Sequence, residues 1–325
     1  MPKTSRAALA LIACLPLLHA CGGTSDDGDV RLVNATTDYS TISLYQSDDT
    51  VGDAVASDTV GSYAGVGAGA YEFDLRTVGS SSTAASTSQV VAKGDHFTLV
   101  AYVDAGTLKT ATLTDDEDKP SSGYASLRIF NAAPSVAAGV DVYATATACA
   151  ALTSADTAVA TDVTGLQSGY ASVVAASAGS AWHVCVTGTG DRSDLRLDIP
   201  ALTLGSQQIA TLILTKSTGG VLLNALLLNQ QGTLTSYANT SVRLRLVADA
   251  ASGGVVSASG DSVAFGATSA DANIAASSAA ADLQVTSAGT TLWEMSGQTL
   301  TSGSVYTVFL LGDAGAPKGV LRVDN

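Results

Sequence analysis

Residues 125–144 read ASLRIFNAAPSVAAGVDVYA, and this stretch decides the fold. Leu127 and Ile129 alternate with Ser126 and Arg128, and Val140 and Val142 alternate with Asp141 and Tyr143. Between them Asn131-Ala132-Ala133-Pro134 supplies turn residues. Two period-2 runs around a proline-bearing turn predict two half-buried β-strands.

The pattern recurs. Val30-Arg31-Leu32-Val33-Asn34-Ala35 matches Leu127 to Ala132, and Leu244-Arg245-Leu246-Val247 is a looser third copy. Each opening strand is followed by a second, at Ile42 to Tyr45, Val140 to Tyr143 and Val255 to Ala258. Late in each copy a glycine leads into a doubly apolar strand: Gly94 to Tyr102, Gly205 to Leu214, Gly303 to Leu311. A strand apolar on both faces belongs in the middle of a packed sheet. Short strands separated by Gly, Ser, Asp and Asn, repeated at this spacing, predict three tandem immunoglobulin-like antiparallel β-sandwich domains, an all-β chain. Ala270 to Asp282 is alanine-rich, and its serines and Asn273 leave helix and strand both open.

The expected boundaries are a signal segment over 1–20, a tether over 21–29, and sandwich repeats over 30–119, 120–236 and 237–325. Asp115 to Lys119, a charge run before Pro120, is expected to be a solvated linker. Gln230 to Ser236 is a softer one. Placed end to end, three such sandwiches would project about 100 Å.

The amino terminus carries an address. Lys3 and Arg6 precede an apolar run from Ala7 to Leu18, too short for a membrane-spanning helix and of the length of a signal-peptide core. Leu18-His19-Ala20-Cys21 then resembles the lipobox of bacterial lipoproteins. That resemblance implies cleavage before Cys21, a diacylglycerol on its thiol and acylation, palmitate included, of the new amine. It makes the membrane a partner through the anchor and, with Gly22 next, places the protein at the outer membrane. Cys14 leaves with the signal, so Cys149 and Cys185 are the remaining thiols of the four. In an oxidising compartment they are expected to pair, a loop closure worth about 4 kcal/mol.

Charge narrows the partners. With 29 acidic and 15 basic side chains the net charge is −14, which repels a phosphate backbone and argues against nucleic acid. The chemistry-bearing motifs are sparse. Neither G-x-S-x-G, S-x-x-K nor H-E-x-x-H occurs, and the histidines beyond the signal, His96 and His183, are expected on strand surfaces. Gly65-Val-Gly-Ala-Gly69 resembles a phosphate loop but leads into a strand, so it is expected to be a turn. Trp182 is expected to pack beside the Cys149–Cys185 disulfide. No catalytic residue, metal ligand or cofactor site is expected.

The opening [LV]R[LIV][VF]NA strand, the [IV]x[VL]Y strand and the late glycine-led strand together resemble the bacterial domain of unknown function 4397. The likeness is best in the middle repeat, at Asn131 to Pro134 and Val140 to Tyr143, fair in the first, and weakest in the third, where Ala248-Asp249 replaces Asn-Ala. The resemblance implies a β-sandwich module of secreted proteins and lipoproteins, and no catalytic residues. The expected function is a non-enzymatic envelope lipoprotein whose sandwiches bind an envelope protein or polysaccharide, adhere or act as a scaffold. A polymerising fibre subunit, or a hydrolase built on scattered carboxylates, are the alternatives.

Overall fold

The computed structural model describes residues 27–164, 166–175, 181–248, 254–258, 261–265, 270–275, 281–287, 290–311 and 318–324. The chain is all-β there, apart from one short 3-10 turn at Cys149–Ala151. Its strands form six sheets, two to a unit, and one topology repeats three times.

In the first unit an opening strand, Asp27–Asn34, lies beside a late strand, His96–Asp104, which pairs with a closing strand, Thr107–Thr114. The second unit repeats this with Tyr124–Asn131, Ile209–Lys216 and Leu223–Asn229, and the third with Ser241–Ala248, Val305–Leu311 and Lys318–Asp324. In every unit the opening and late strands run parallel, whereas the other pairings are antiparallel. The late strands, central in their sheets, carry apolar side chains on both faces, and in the first two units both faces are covered.

The alternation read from the sequence sets which side chains fill each sandwich. Val30 and Leu32 point inward with Ile42, Phe73 and Leu99, and Leu127 and Ile129 with Val142, Val186 and Leu212. Val242, Leu244 and Leu246 do the same with Leu283 and Val308. The motif asparagines are wholly buried and span the loop after the opening strand. Asn34 donates through Nδ2 to the carbonyls of Tyr39 (2.9 Å) and Val55 (3.3 Å), and Asn131 to that of Ala137 (2.8 Å). A buried amide is tolerated when its donors are met within the fold, as the Nδ2 groups are here. Ala248 holds this register position in the third unit, so the amide is missing from it.

The expected end-to-end array does not describe the first two units. Residues of alternate phase, Val33, Val100 and Leu113 on one unit and Phe130, Ile213 and Leu228 on the other, form a further buried cluster between the two sheets. In these two units the late strands are apolar on their second face because that face meets the neighbouring sandwich. Ala270–Ala275 is a strand, which closes the alternative the sequence left open.

Candidate functional site

Among the described residues a group of buried polar side chains lies in the seam between the first two sandwiches, and the repeated arginines build it. Arg31 is 3% exposed and Arg128 6%. Both occupy the same register position, Arg31 beside Thr98 and Arg128 beside Thr211 on their late strands. Each donates through Nε to that threonine, at 2.8 and 3.0 Å. Each also stacks on a tyrosine, Arg31 over Tyr63 and Arg128 over Tyr170, with Cζ 4.4 and 4.6 Å from the ring centroids. The flat guanidinium suits both contacts, since it donates in its plane while its face lies on a ring.

One carboxylate serves both arginines. Asp115, 1% exposed, sets Oδ2 3.6 Å from Arg31 and Oδ1 3.8 Å from Arg128. It accepts hydrogen bonds from the Tyr63 hydroxyl (2.6 Å) and from Thr98. Burial, reinforced by Asp115, pushes the Tyr63 phenol well up, and burial alone pushes Arg128 down from its ordinary value. Asp115 was expected in a solvated linker. The charge run is a linker only from its second residue, because Asp115 continues the closing strand and turns inward. The softer linker is likewise engaged: Gln230 Nε2 donates to the Glu117 carbonyl (2.8 Å), Gln231 Nε2 to that of Asp115 (3.1 Å), and Leu234–Tyr237 joins the second unit's sheet.

The seam is reciprocal. Arg31 donates to the carbonyls of Gly232 (2.8 Å) and Asn229 (3.3 Å) across it, and Arg128 donates to that of Thr114 (3.4 Å). Thr114 and Asn229 are equivalent, paired with Phe97 and Ala210 one residue before the threonines. Contacts exchanged between equivalent positions are the signature of a two-fold pairing. Tyr102 meets Phe130 edge to face at 5.9 Å within it. A closed group of this kind has no room for a substrate at its charges; what it does is clamp two sheets.

The other candidates lie elsewhere. Cys149 and Cys185 are joined, with S–S 2.07 Å and Cα–Cα 5.4 Å, and Tyr143, Leu152 and Leu195 pack around the bond. Tyr143, not Trp182, covers it. Trp182 begins its strand half-buried and donates through Nε1 to the Val174 carbonyl at 2.9 Å. His183 stands 3.6 Å from Asp198, whose carboxylate also approaches Cys149 Sγ at 3.1 Å. That sulfur is committed to the disulfide and offers no thiolate to a metal. An open depression of about 500 Å³ adjoins, lined by Cys149, Leu152, Arg192 and Leu195 among others. His96 sits between Asp29 (3.4 Å) and Asp116 (3.0 Å) with Tyr63 against its ring. Gly65 and Gly67 are strand residues of Ala64–Gly67, paired with Asp29 and Asp27, and the turn is confined to Ala68. Cys21, the lipobox and the signal segment lie outside the described residues.

Fold and seam together define a tandem β-sandwich protein whose repeat motif builds an internal junction. Residues 28–143 match the family described as Domain of unknown function (DUF4397). The match covers the first sandwich from residue 28, the opening strand of the second and the start of its next strand, Val140–Thr145. It takes in Asn131 to Pro134 and Val140 to Tyr143 of the middle repeat and ends there. No curated protein matches the chain. Among solved structures the chain is similar to the one titled The Bacillus anthracis TIE protein, at 9% identity and a TM-score of 0.18. The alignment covers 90% of this chain and 51% of that one, so this chain spans about half its length.

Proposed function

We propose that this is a lipid-anchored protein of the bacterial cell envelope whose sandwiches form a non-enzymatic binding and scaffold module. One observation carries the reading: the repeated arginines Arg31 and Arg128, with the Asp115 and Tyr63 that hold them, are consumed in clamping one sandwich on the next. A scaffold needs such a clamp because two small sandwiches joined only by a linker would move independently. The lipobox resemblance at Leu18 to Cys21 supports the anchor, and stable anchoring takes more than one acyl chain. Among the described residues no helix is long and apolar enough to cross a membrane.

Replacing Cys21 with Ser tests the anchor. The expected outcome is a shift from the detergent-soluble membrane fraction to the soluble extract; persistence in the membrane fraction removes the lipidation reading. A pull-down with the lipid-free chain tests the binding role. The result expected is an envelope protein or polysaccharide retained by the native chain and lost when the sandwiches are unfolded by urea. A hydrolytic turnover that saturates with substrate and is lost when an acidic pair is mutated would overturn the non-enzymatic reading.

A further inference from the structure

The third unit carries the same face by which the first two sandwiches clamp one another. Strand register fixes the equivalence. Arg245 lies beside Thr307 as Arg31 lies beside Thr98 and Arg128 beside Thr211. Two residues on, Val247 and Phe309 stand where the other units have Val33 with Val100 and Phe130 with Ile213. Leu311 corresponds to Tyr102. Asp324 pairs with Val305 two residues before Thr307, which is the place of Asp115 relative to Thr98. The polar contacts are rebuilt as well: Thr307 donates to Asp324 at 2.8 Å, and Arg245 stands 3.8 Å from the same carboxylate.

The difference is cover. Val33, Val100, Phe130 and Ile213 are wholly buried in the seam, whereas Val247 and Phe309 are only half-buried and Leu311 is 47% exposed. Arg245 has 42% of its side chain exposed, against 3% for Arg31. The third unit is tied to the second at one end of this face, where Arg243 meets Asp194 at 2.6 Å, and its centre faces outward.

We infer that this face pairs with the same face of a second copy of the chain, forming a closed two-fold dimer. The occupant follows from the molecule's own precedent, since the two other faces of this type pair with each other and exchange contacts between equivalent positions. The face carries both signs, Arg245 and Arg322 with Asp324, a pattern that suits a two-fold axis. In such a pair Arg245 donates to the Val323 carbonyl of the second copy, because Val323 pairs with Tyr306 as Thr114 pairs with Phe97 and Asn229 with Ala210. One position departs from the precedent. Arg322 pairs with Thr307 where Leu113 and Leu228 pair with Thr98 and Thr211, so a charge stands where the seam has leucine. The dimer is therefore weaker than the internal seam and sensitive to salt.

Sedimentation velocity of the full chain made lipid-free by Cys21→Ser, from about 1 to about 100 µM, reads the proposal. A monomer–dimer equilibrium with nothing larger is expected. Leu311→Asp should weaken it at least ~10-fold, and Arg322→Leu, which restores the leucine of the other two units, should tighten it ~10-fold. The second variant gains association, so misfolding cannot imitate it, and it decides the matter if Leu311→Asp loses the native circular dichroism spectrum. A chain that stays monomeric throughout, species that grow beyond the dimer, or an Arg322→Leu dimer no tighter than the parent would overturn it.

Discussion

The chain has two junctions between sandwiches, and they use the same kind of sheet in opposite ways. Between the first and second units whole faces meet: an apolar cluster from Val33 to Leu228 surrounds one carboxylate shared by two arginines. Between the second and third, the contacts among the described residues lie at an end of the sheet. There Arg243 and Arg196 share Asp194, at 2.6 and 2.8 Å, Ser217 donates to the Gly303 carbonyl at 3.0 Å, and Asn239 bonds the carbonyls of Arg196 and Leu223. Gly220, at a φ of +59°, passes so close to Val305 that a β-carbon would sit 2.3 Å from its methyl. The first junction is held by burial with a charged centre, the second by directed polar contacts and close backbone approach. A face-to-face seam consumes the binding surface of both partners, and an end-on joint leaves it open.

The largest effect separating the two junctions should come from Asp115→Asn. The amide keeps a hydrogen-bond acceptor for Tyr63 but leaves Arg31 and Arg128 buried without a countercharge. Removing one partner of a buried ion pair costs about 3–5 kcal/mol. Urea unfolding followed by far-ultraviolet circular dichroism should show the first transition moved to lower denaturant by that amount. An unchanged midpoint would mean that the apolar cluster alone holds the seam.

How much of this was legible in the sequence follows from what each residue's neighbours are. Leu127, Ile129, Val140 and Val142 announce their strands because strand alternation is a local property, and the same holds for their counterparts in the other units. The register of the repeat was legible too, since Arg245 does share its position with Arg31 and Arg128. The seam was not. Asp115 heads a run of four acidic residues, and nothing local distinguishes the one that turns inward from the three that do not. The available signal was the second face of each late strand. Val100 and Ile213 are apolar on the side away from their own sandwich, which requires a cover, and a buried arginine at Arg31 and Arg128 requires a carboxylate near by. Trp182 misled because the disulfide's cover is set by cross-strand pairing, and Tyr143, not Trp182, pairs with Cys185.

The second junction should respond less to loss of its carboxylate, and pH reads that response. Burial pushes the Asp194 carboxyl up, but the hydrogen bonds from Arg196 and Arg243 outweigh it and hold the group below its ordinary value of 3.8. A carboxylate lowered by folding contributes stability that is complete above pH 3.8 and is lost as pH falls through the lowered value. Asp194→Asn should remove that acid dependence and cost about 1–3 kcal/mol, since it leaves hydrogen bonds to charged donors unmade. Fluorescence of Trp293, which lies in the third unit, reports it while Trp182 reports the second. Equal pH dependence in parent and variant would detach the junction's acid sensitivity from Asp194.

The smallest effect sharpens the comparison from inside the seam. Arg31→Lys keeps the charge and much of the reach, so a purely coulombic clamp should not notice it. The observed contacts are of another kind: Nε to Thr98, two terminal nitrogens to carbonyls of the second unit, and a planar face on Tyr63. An ammonium cannot make all of these at once, because it has no plane to stack and its donors diverge from a single atom. A loss of about 1 kcal/mol is expected in the same urea transition, the scale of one net hydrogen bond. The reciprocal change, Arg128→Lys, should cost less, because Arg128 makes one hydrogen bond across the seam where Arg31 makes two. Equal losses would mean that stacking on Tyr63 and Tyr170, common to both, carries the effect, and that the carbonyls serve only to set the register.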